Sequence, residues 1–475
     1  MNSLKPLLWA GILLGVVVVL YLFYQHLPYF GNASLLGAVL MLEILIASIW
    51  RYEERFFALL IIAFTWAATG LPFQEAWRGG GRWLVLAAGA AVGFIIWTKT
   101  PRRLFGSIHL IAFFCVSAAF VSATVSPWVQ MASLKALSLL LLFTYCSSGA
   151  RLAVLSREDR FFRGLILGCE LVVYITAICY FGLGDSFWGN PNSLGAAMSV
   201  GVFPVLLWGW LTCDRPGEKI RRLVALLLCS YLVSFSMARA GMASLMVVTL
   251  IFTVCLRQYK LLVKIGALVL VMVAITGMLD PGALSQRLGD MKDAVLYKGH
   301  KEEGVLGSRK APWEKTKASI KAHPWFGTGY GTAPTGEDPG LGFGIVSSTS
   351  ETAREHGNSY MAIAEWVGLL GVAPFVAILA VTVGNVWKVC AWMRRTGDPR
   401  HYSIPVAMVV LSGFVHASFE DWLFAVGYYL CVYFWALAFV LADLVPDADT
   451  VLAAGVVSRT RRSSLAGFGA VVPNR

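Results

Sequence analysis

The sequence His323-Pro324-Trp325-Phe326-Gly327-Thr328-Gly329-Tyr330-Gly331 lies in a long polar stretch, Asp280 to Arg354, which interrupts an otherwise apolar chain. The stretch also contains Gly307-Ser308-Arg309 and leads into Glu355-His356-Gly357-Asn358-Ser359-Tyr360. At about 75 residues it is far longer than a usual connection between two elements. Long loops with patterned segments are typical of functional sites, so we expect the chemistry of this protein there.

The composition is that of an integral membrane protein. The chain is 57% hydrophobic and 14% charged, with a mean hydropathy of +0.68, and a water-facing surface needs more charge than this. Apolar runs near the roughly 20 residues that span a bilayer recur about 14 times. The predicted fold class is therefore an all-α polytopic membrane protein with about 12–14 transmembrane helices and one long, partly helical periplasmic loop. The first run, Leu7 to Tyr24, is followed by no small-x-small cleavage site, and we expect a retained anchor.

The connections between apolar runs alternate in charge, which predicts the orientation of the chain. Connections rich in Lys and Arg are expected to be cytoplasmic; they contain Arg51 and Arg55, then Lys99, Arg102 and Arg103, then Arg151, Arg157, Arg160 and Arg163, then Arg215, Lys219, Arg221 and Arg222, then Arg257, Lys260 and Lys264, and finally Lys388, Arg394, Arg395 and Arg400. The opposite connections, His26 to Asn32, Ser126 to Gln130 and Asp185 to Asn192, are poor in basic residues and are expected outside. The connection with Arg78 and Arg82 is an exception on the outer side.

This alternation predicts four divisions of the chain. Residues 1–279 form membrane helices, 280–357 the periplasmic loop, 358–445 further membrane helices, and 446–475 a cytoplasmic tail. The run Leu261 to Leu279 crosses outward to the loop. The tail, with Arg459, Arg461 and Arg462, is predicted to be a disordered segment attracted weakly to membrane lipids.

Two helices are predicted around the loop. Ser308 to Ala322 has helical spacing, with Trp313, Thr316 and Ile320 on one face and Lys317 close to it. A second helix should start near Asn358, continue through Glu365 and enter the membrane around residues 368–371. Between them, Gly327, Gly329 and Gly331 allow sharp turns and close backbone approach, and we expect the loop to fold against the membrane domain.

Several classes of site are disfavoured. All nine cysteines fall in or beside apolar runs without metal-ligand spacing, so neither a disulfide framework nor a zinc site is expected. No external carboxylate cluster has metal spacing, and the expected metal and cofactor content is none. The net charge of +12 is distributed in short clusters typical of orientation signals, so nucleic acid is not an expected partner.

His356 and Arg239 are the strongest candidates for chemistry. An imidazole where a polar loop re-enters the membrane, beside Arg354 and Glu355, can exchange protons near neutral pH with an external acceptor; a capping or surface role is the alternative. Arg239 lies between two apolar runs near the outer face, where an uncompensated charge costs a few kcal/mol. It either snorkels to the interface or binds an anion such as a diphosphate, which suits a planar guanidinium.

Three further positions carry weaker signals. Arg309 precedes the loop helix and is either an anion-binding group or a solvated arginine. Glu420 and Asp421 end the apolar segment Ser403 to Phe419 on the outer side, where they pair with an arginine, polarise His356, or lie at the interface without function. His323 is expected to be structural because Pro324 favours a turn, and Asn190-Pro191-Asn192 is explained by helix capping.

These residues together resemble the O-antigen ligase and polymerase superfamily. The motifs that carry the resemblance are Gly189 to Asn192, Ser236 to Gly241, Gly307-Ser308-Arg309 with Trp313, His323 to Gly329, His356 to Tyr360, and Glu365 with Gly368-Leu369-Leu370-Gly371. They cover roughly the second half to two-thirds of the chain, and their order around one external loop is more specific than any one of them. In one departure, Gly357 separates His356 from Asn358, where the family often has Asn directly after His.

The resemblance implies an inverting glycosyltransferase of the bacterial inner membrane with its site facing the periplasm. Proteins of this kind move a glycan from an undecaprenyl diphosphate carrier to an acceptor hydroxyl without nucleotide sugar or metal. Carried over, His356 is the catalytic base, Arg239 and Arg309 bind the diphosphate, and the supporting residues are Arg354, Asn358, Tyr360, Glu420 and Asp421. The leading interpretation is an O-antigen ligase of lipopolysaccharide biosynthesis with a lipid A-core acceptor.

Two alternatives stay open from the sequence. A polymerase that extends a carrier-linked repeat unit would share the loop histidine and both arginines, and its acceptor would be a glycan rather than a lipid. A transporter or flippase would instead place ionisable residues at mid-membrane and broken helices in matching halves. The candidate charges gather at the outer face, which favours an enzyme.

Overall fold

The computed structural model describes residues 33–69, 75–99, 105–184, 187–260, 307–332 and 355–446, with the single residues 263 and 266. Within these ranges all regular elements are helices, and the prediction of an all-α polytopic membrane protein is confirmed. Some predicted features lie outside the described residues: the run Leu7 to Tyr24, most of the run Leu261 to Leu279, loop residues 280–306 and 333–354 with Arg354, and the tail from 447.

Fifteen α-helices follow one another in the described ranges. They are α1 (Ala33–Trp50), α2 (Tyr52–Ala67), α3 (Glu75–Lys99), α4 (Ser107–Ala123), α5 (Val129–Tyr145), α6 (Arg151–Leu155), α7 (Glu158–Ala177), α8 (Pro191–Ala196), α9 (Phe203–Leu211), α10 (Pro216–Phe235), α11 (Arg239–Cys255), α12 (Gly307–Ala322), α13 (Ser359–Thr396), α14 (Ser403–Ala417) and α15 (Tyr429–Leu444). Short π-helical segments join α5 to α6 and α8 to α9 and extend α7. Five stretches are long and apolar enough to cross a bilayer: Gly79–Lys99, Val129–Leu155, Glu158–Leu183, Pro191–Leu211 and Ser359–Thr396.

Helix α15 lies at the centre of the bundle. It is apolar on all sides, as a helix surrounded by other helices must be, and nearly all of its side chains are buried. The outer helices instead expose large apolar groups, among them Phe113 on α4 and Trp387 on α13, which are 61% and 73% exposed. Such a surface suits a hydrocarbon environment rather than water.

The connections predicted to be cytoplasmic gather at one end of the bundle. Glu54 pairs with Arg160 at 2.9 Å and with Arg157 at 3.4 Å. Arg400 pairs with Asp214 at 3.0 Å. These contacts join four separate basic connections, as the charge alternation predicts.

The connections predicted to be external meet at the other end. The hydroxyls of Ser126 and Thr332 lie 2.8 Å apart, which brings the α4–α5 connection to the long loop. Arg82, the exception in the charge pattern, also lies at this end, where its guanidinium donates to the carbonyl of Gly427 at 2.7 Å. Arg82 therefore has a specific hydrogen-bond partner at the end predicted to be external.

Helix α13 is broken at Gly368, and the long loop fills the break. Gly368 has φ 65° and ψ −176°, so the backbone N–H groups that follow lose their helical acceptors. Leu369 N–H donates instead to the carbonyl of Pro324 at 2.8 Å, and Leu370 N–H to that of Trp325 at 3.1 Å. A Cβ at Gly368 would lie 2.4 Å from the carbonyl oxygen of Trp325, so the approach requires glycine.

The loop also donates to the carbonyls freed by the break. Thr328 N–H binds Glu365 O at 3.0 Å, and Gly329 N–H binds Trp366 O at 3.2 Å. Gly327 permits this approach, since a Cβ there would lie 2.4 Å from both carbonyl oxygens. Each backbone group left unpaired in a membrane costs several kcal/mol. The segment 324–329 and the break in α13 therefore form one hydrogen-bonded unit, which we call the loop splice.

The loop continues from the splice into the membrane domain. Tyr330 is buried, and its hydroxyl donates to the carbonyl of Phe424 at 2.8 Å. The Lys135 ammonium on α5 donates to the carbonyl of Gly331 at 2.5 Å. For the described part of the loop, the prediction that it folds against the membrane domain is confirmed.

The two predicted loop helices are present. The first, α12, begins at Gly307 and ends at Ala322, one residue longer than predicted. Its predicted inner face is supported because Thr316 is fully buried while Lys317 is exposed. The second, α13, starts after Asn358, but the break at Gly368 was not predicted.

A buried ion pair joins α6 to α15 at the end of the bundle predicted to be cytoplasmic. Arg151 Nε and Nη2 donate to the two Asp443 oxygens at 2.6 and 2.8 Å, and the Arg151 side chain is 1% exposed. The guanidinium also lies over the Trp97 ring, 4.2 Å from its centroid. Each charge is thus compensated by the other, and truncation of either side chain leaves the remaining one without its partner in this ion pair.

We expect Arg151→Ala and Asp443→Ala each to cost about 3–5 kcal/mol of stability, because each leaves the opposite charge buried. The double variant Arg151→Met/Asp443→Leu should unfold close to the wild-type temperature, since it removes both charges and keeps the volume. Thermal unfolding of the detergent-purified protein measures this difference. Equal destabilisation in the single and double variants would show that an uncompensated buried charge is not the cause of the loss of stability.

Candidate functional site

His356 is held between two carboxylates at the end of the bundle predicted to be external. Its Nδ1 lies 3.0 Å from Asp421 Oδ2, which also accepts the His356 backbone N–H at 2.8 Å. Its Nε2 lies 3.4 Å from Glu365 Oε2. The ring is 1% exposed and meets the Trp366 ring edge to face, with 5.4 Å between centroids. Both ring nitrogens of this buried imidazole therefore face carboxylate oxygens.

Arg309 is likewise paired with two carboxylates. Its Nη1 donates to Glu355 Oε1 and its Nη2 to Glu420 Oε1, each at 2.5 Å. The Arg309 side chain is 11% exposed, Glu420 19% and Glu355 63%. Arg309 is therefore not a solvated loop arginine, which was one of its two interpretations from the sequence. The exposed Glu355 is the partner that an incoming anion can replace most easily.

The consecutive residues Glu420 and Asp421 bring the two groups together. Glu420 binds Arg309 and Asp421 binds His356, and both follow the end of α14. From the sequence, the expected partner of these carboxylates was either an arginine or His356. The structure shows one of each, which places a cation and an oriented imidazole side by side.

Gly357, which separates His356 from Asn358, lies in a left-handed turn. It has φ 63°, and a Cβ there would lie 2.9 Å from Arg309 Nη1. Its carbonyl accepts the indole N–H of Trp313 at 3.2 Å. The glycine permits this left-handed turn against α12, between the imidazole and the start of α13.

Asn358 and Tyr360 hold this turn to α14. The Asn358 side chain accepts the backbone N–H of Tyr360 at 2.9 Å as the N-cap of α13, a favoured role for asparagine. Its amide also donates to the carbonyl of Ser418 at 2.9 Å. The Tyr360 hydroxyl donates to the carbonyl of Phe414 at 2.9 Å. Both residues therefore fix the position of the neighbouring His356.

Arg239 is the first residue of α11, and its charge interacts repulsively with that of Arg309. Two residues before it, Met237 has a φ of 51°, which is uncommon for a residue other than glycine. The turn packs against α8, where a Cβ on Gly195 would lie 2.4 Å from that of Ala238. The structure thus brings Arg239 to the same end as Arg309, whereas Arg354 lies outside the described residues.

The carboxylates determine how His356 and Asp421 titrate. Burial lowers the pKa of His356, but hydrogen bonds to Asp421 and Glu365 outweigh it and leave that pKa above its ordinary value. Burial raises the pKa of Asp421, but hydrogen bonds from the ring and backbone of His356 bring it below the ordinary value. The Asp421–His356 pair therefore favours an ionised carboxylate and a protonated ring.

The carboxyl of Glu420 titrates in the opposite direction. Its burial raises the pKa, and the neighbouring charges of Glu355 and Asp421 add to this, while Arg309 opposes it. The result is a pKa above the ordinary value. Glu420 is therefore more easily protonated than a surface carboxylate, which weakens its hold on Arg309 as the pH falls.

Two buried residues of the site were missed as candidates. Glu365 is fully buried, and an ionisable residue inside an apolar helix is by itself a signal of function. His416 on α14 accepts the indole N–H of Trp422 at its Nδ1, 2.9 Å away. Because indole only donates, the proton of a neutral His416 must lie on Nε2. The same signal marks His416, which lies in the apolar helix α14.

Comparison with known proteins finds a family match in the central part of the chain. Residues 224–376 match the family described as O-antigen ligase, a range that contains Arg239, Arg309, His356, Glu365 and the loop splice. It excludes Glu420, Asp421 and the Gly189 to Asn192 motif. No curated protein matches the chain significantly. In the described part of the chain, no group of three His, Cys, Asp or Glu side chains is placed to hold a metal ion.

Proposed function

We propose, on the premise that residues 224–376 belong to the O-antigen ligase superfamily, that this membrane protein transfers a glycan from an undecaprenyl diphosphate carrier to an acceptor hydroxyl. The reaction class is that of an O-antigen ligase, with lipid A-core as acceptor. The external end of the bundle, including the loop assigned to residues 280–357, would face the periplasm from the bacterial inner membrane.

One observation carries this proposal. Adjacent carboxylates, Glu420 and Asp421, hold Arg309 and His356 respectively. A transferase that uses a diphosphate donor needs a cation for the leaving group and a base for the acceptor, both at fixed positions. Because Glu420 and Asp421 are consecutive residues, they hold the cation and the base close to each other.

The arginines would stabilise the departing diphosphate. Arg309 can exchange its exposed partner Glu355 for phosphate oxygens while Glu420 keeps the guanidinium in place, and Arg239 adds a second positive charge. Charge-assisted bidentate contacts are the strongest that a guanidinium makes with phosphate. We therefore propose that transfer proceeds without a metal ion or other cofactor.

His356 would act as the base. Asp421 keeps the Nδ1 proton in place, so a neutral ring presents the Nε2 lone pair. As the acceptor oxygen bonds to the anomeric carbon, its proton passes to Nε2, and the bond from that carbon to the diphosphate oxygen breaks. Attack in line with the leaving group inverts the anomeric centre. Asn358 and Tyr360 support the ring's position, and Arg354 is proposed to act beside them.

The loop splice supports an enzyme rather than a transporter. In transporters, a broken helix lines a cavity for the substrate. The break in α13 is instead filled by the backbone of residues 324–329. The charged groups of the site lie at one end of the bundle, near the ends of α11, α13 and α14.

The decisive experiment reconstitutes the purified protein in lipid with carrier-linked glycan and acceptor, without nucleotide sugar or ATP and with a chelator. We expect transfer of the glycan with inversion of the anomeric linkage. A linkage of retained configuration would contradict the role of His356, and absence of transfer would contradict the proposed function. Glycan joined to lipid A-core identifies a ligase, whereas repeat units joined to each other identify a polymerase.

A further inference from the structure

An open cavity of about 450 Å³ lies at the end of the bundle predicted to be cytoplasmic. Its walls are the first turn of α4, residues 381–388 of α13 and the end of α15, with Arg151 from α6. At 1.5 Å per residue, Asn385 lies about 25 Å along α13 from the break at Gly368. The cavity is therefore separate from the site around His356.

Asn385 is the most informative side chain in this cavity. It is 9% exposed, yet within the described residues its amide has no hydrogen-bond partner. Buried polar groups in proteins are nearly always hydrogen-bonded, and an amide can both donate and accept. Because the side chain lines the cavity, a group that enters the cavity would supply the partner.

The charge available in the cavity is positive. Lys388 lines it, and in the described part of the chain its ammonium forms no ion pair. Arg151 and Asp443 also line the cavity, but their charges compensate each other. The ring nitrogens of His109 face Gly106 N and Arg151 Nη1, at 2.9 and 3.0 Å. The charge left for a ligand is therefore that of Lys388, which suits an anion.

The start of α4 adds the positive end of a helix dipole. This helix has 17 residues, and its N-cap residue, Gly106, has no side chain that could accept from the first N–H groups. Such groups lack partners within a helix, and at a helix start they bind phosphate and other anions. The hydroxyl side chain of Ser107 is exposed beside them. An ammonium, an unpartnered amide and a helix N-terminus thus line one cavity.

Large apolar side chains flank this polar lining. Phe105, Val383 and Trp387 each directly precede a residue that lines the cavity, and each is at least half exposed. Exposed apolar groups on a membrane helix suit acyl chains, and tryptophan is enriched at the level of the head groups. A phosphate with acyl chains attached therefore matches the surroundings of the cavity better than a free phosphate does.

We propose that this cavity binds the phosphate of an anionic phospholipid from the leaflet at this end of the bundle. Lys388 supplies the charge, the Asn385 amide and the start of α4 donate hydrogen bonds to the phosphate oxygens, and the acyl chains lie against Val383 and Trp387. The cytoplasmic leaflet carries such anionic lipids. This binding does not depend on the proposed transfer reaction, because all of its residues lie at the opposite end of α13 from His356.

The test is the unfolding temperature of the detergent-purified protein as phosphatidylglycerol is added. A ligand that binds only the folded protein raises this temperature according to its concentration and affinity. Phosphatidylcholine and inorganic phosphate are the comparisons, since the first has a phosphate but no net charge and the second has no acyl chains. We expect phosphatidylglycerol to act at the lowest concentration of the three.

Lys388→Gln should raise the concentration of phosphatidylglycerol needed for a given shift about fivefold, as expected for one positive charge at a membrane surface. The matched control is Arg395→Gln. Arg395 is exposed and lies about two turns further along the same side of α13, but it does not line the cavity. It should leave that concentration nearly unchanged. General attraction to anionic lipid would be weakened equally by both substitutions.

Asn385→Leu keeps the approximate volume of the side chain and removes the amide. It should weaken phosphatidylglycerol binding by a similar factor. Without lipid, the variant should unfold at the wild-type temperature or above it, because the amide has no partner to lose. A lower temperature without lipid would show that the amide stabilises the protein itself, which would contradict its role as a ligand. If this variant does not accumulate, the exposed Lys388 still decides the question.

Three results would overturn the proposal. Inorganic phosphate as effective as phosphatidylglycerol would assign the cavity to a free phosphate. Equal effects of Lys388→Gln and Arg395→Gln would leave only surface attraction, and equal action of the two phospholipids would exclude a site selective for anionic lipid. A selective loss of phosphatidylglycerol binding in Lys388→Gln and Asn385→Leu supports the proposal.

Discussion

Replacement of His356 by alanine is expected to lower the rate of glycan transfer about 10³-fold, because general base catalysis contributes on the order of 10²–10⁴. The loss should appear in kcat, since the imidazole is buried and Arg309, which binds the leaving group, stays in place. Transfer by the purified variant in lipid, at saturating carrier-linked glycan, measures this. Carrier binding should change little.

The matched control for this substitution is His323→Ala. His323 lies in the same loop but is exposed, directly before the loop splice. It should retain wild-type transfer. Asp421→Asn provides a second comparison, because it keeps the shape of the side chain while removing the charge that orients the ring, and it should lose activity in kcat as well. Full activity of His356→Ala would exclude the imidazole as base.

Replacement of Arg309 by alanine is expected to reduce kcat/KM on the order of 10³-fold. The guanidinium would lose its contacts with the diphosphate, and removal of one donor for developing charge costs about 10²–10³ in rate. Glu355 and Glu420 would also be left beside the site without a cation, where they repel the donor. Transfer rates over a range of carrier-linked glycan concentrations give the size and the origin of the loss.

Arg309→Lys is the informative comparison. It keeps the positive charge but not the planar fork that binds Glu355 and Glu420 at the same time. We expect a loss between those of the wild type and the alanine variant, largely in KM. Equal activity of the lysine variant and the wild type would show that charge alone suffices. Wild-type activity of the Arg309→Ala variant would show that Arg309 is not part of the site.

The sequence predicts most of the helical layout. Charge alternation places Glu54, Arg157 and Arg400 at one end of the bundle, because short-loop lysines and arginines follow the positive-inside rule. Helix α12 and the start of α13 follow from periodicity and from the capping tendency of Asn358. These features depend on local sequence, so a single chain suffices to predict them.

The loop splice could not be predicted in the same way. Gly368-Leu369-Leu370-Gly371 has the apolar character of a continuous membrane helix, and hydropathy carries no information about φ at one glycine. The acceptors for the freed N–H groups lie on a remote part of the chain. The assignment of Glu420 to Arg309 and Asp421 to His356 also depends on tertiary geometry, as does the contact of Glu365 with the ring.

The hydrogen bonds between residues 324–329 and the break in α13 set a rule for building chimeras. A loop grafted from a relative to change the accepted glycan would not match the break in α13. The mismatch would disturb Glu365, which contacts the ring of His356. The two halves must therefore be exchanged together, as one cassette from α12 through residue 371. Grafts of the whole cassette should keep the catalytic geometry. Grafts of the loop alone should fold poorly, so that their specificity could not be measured.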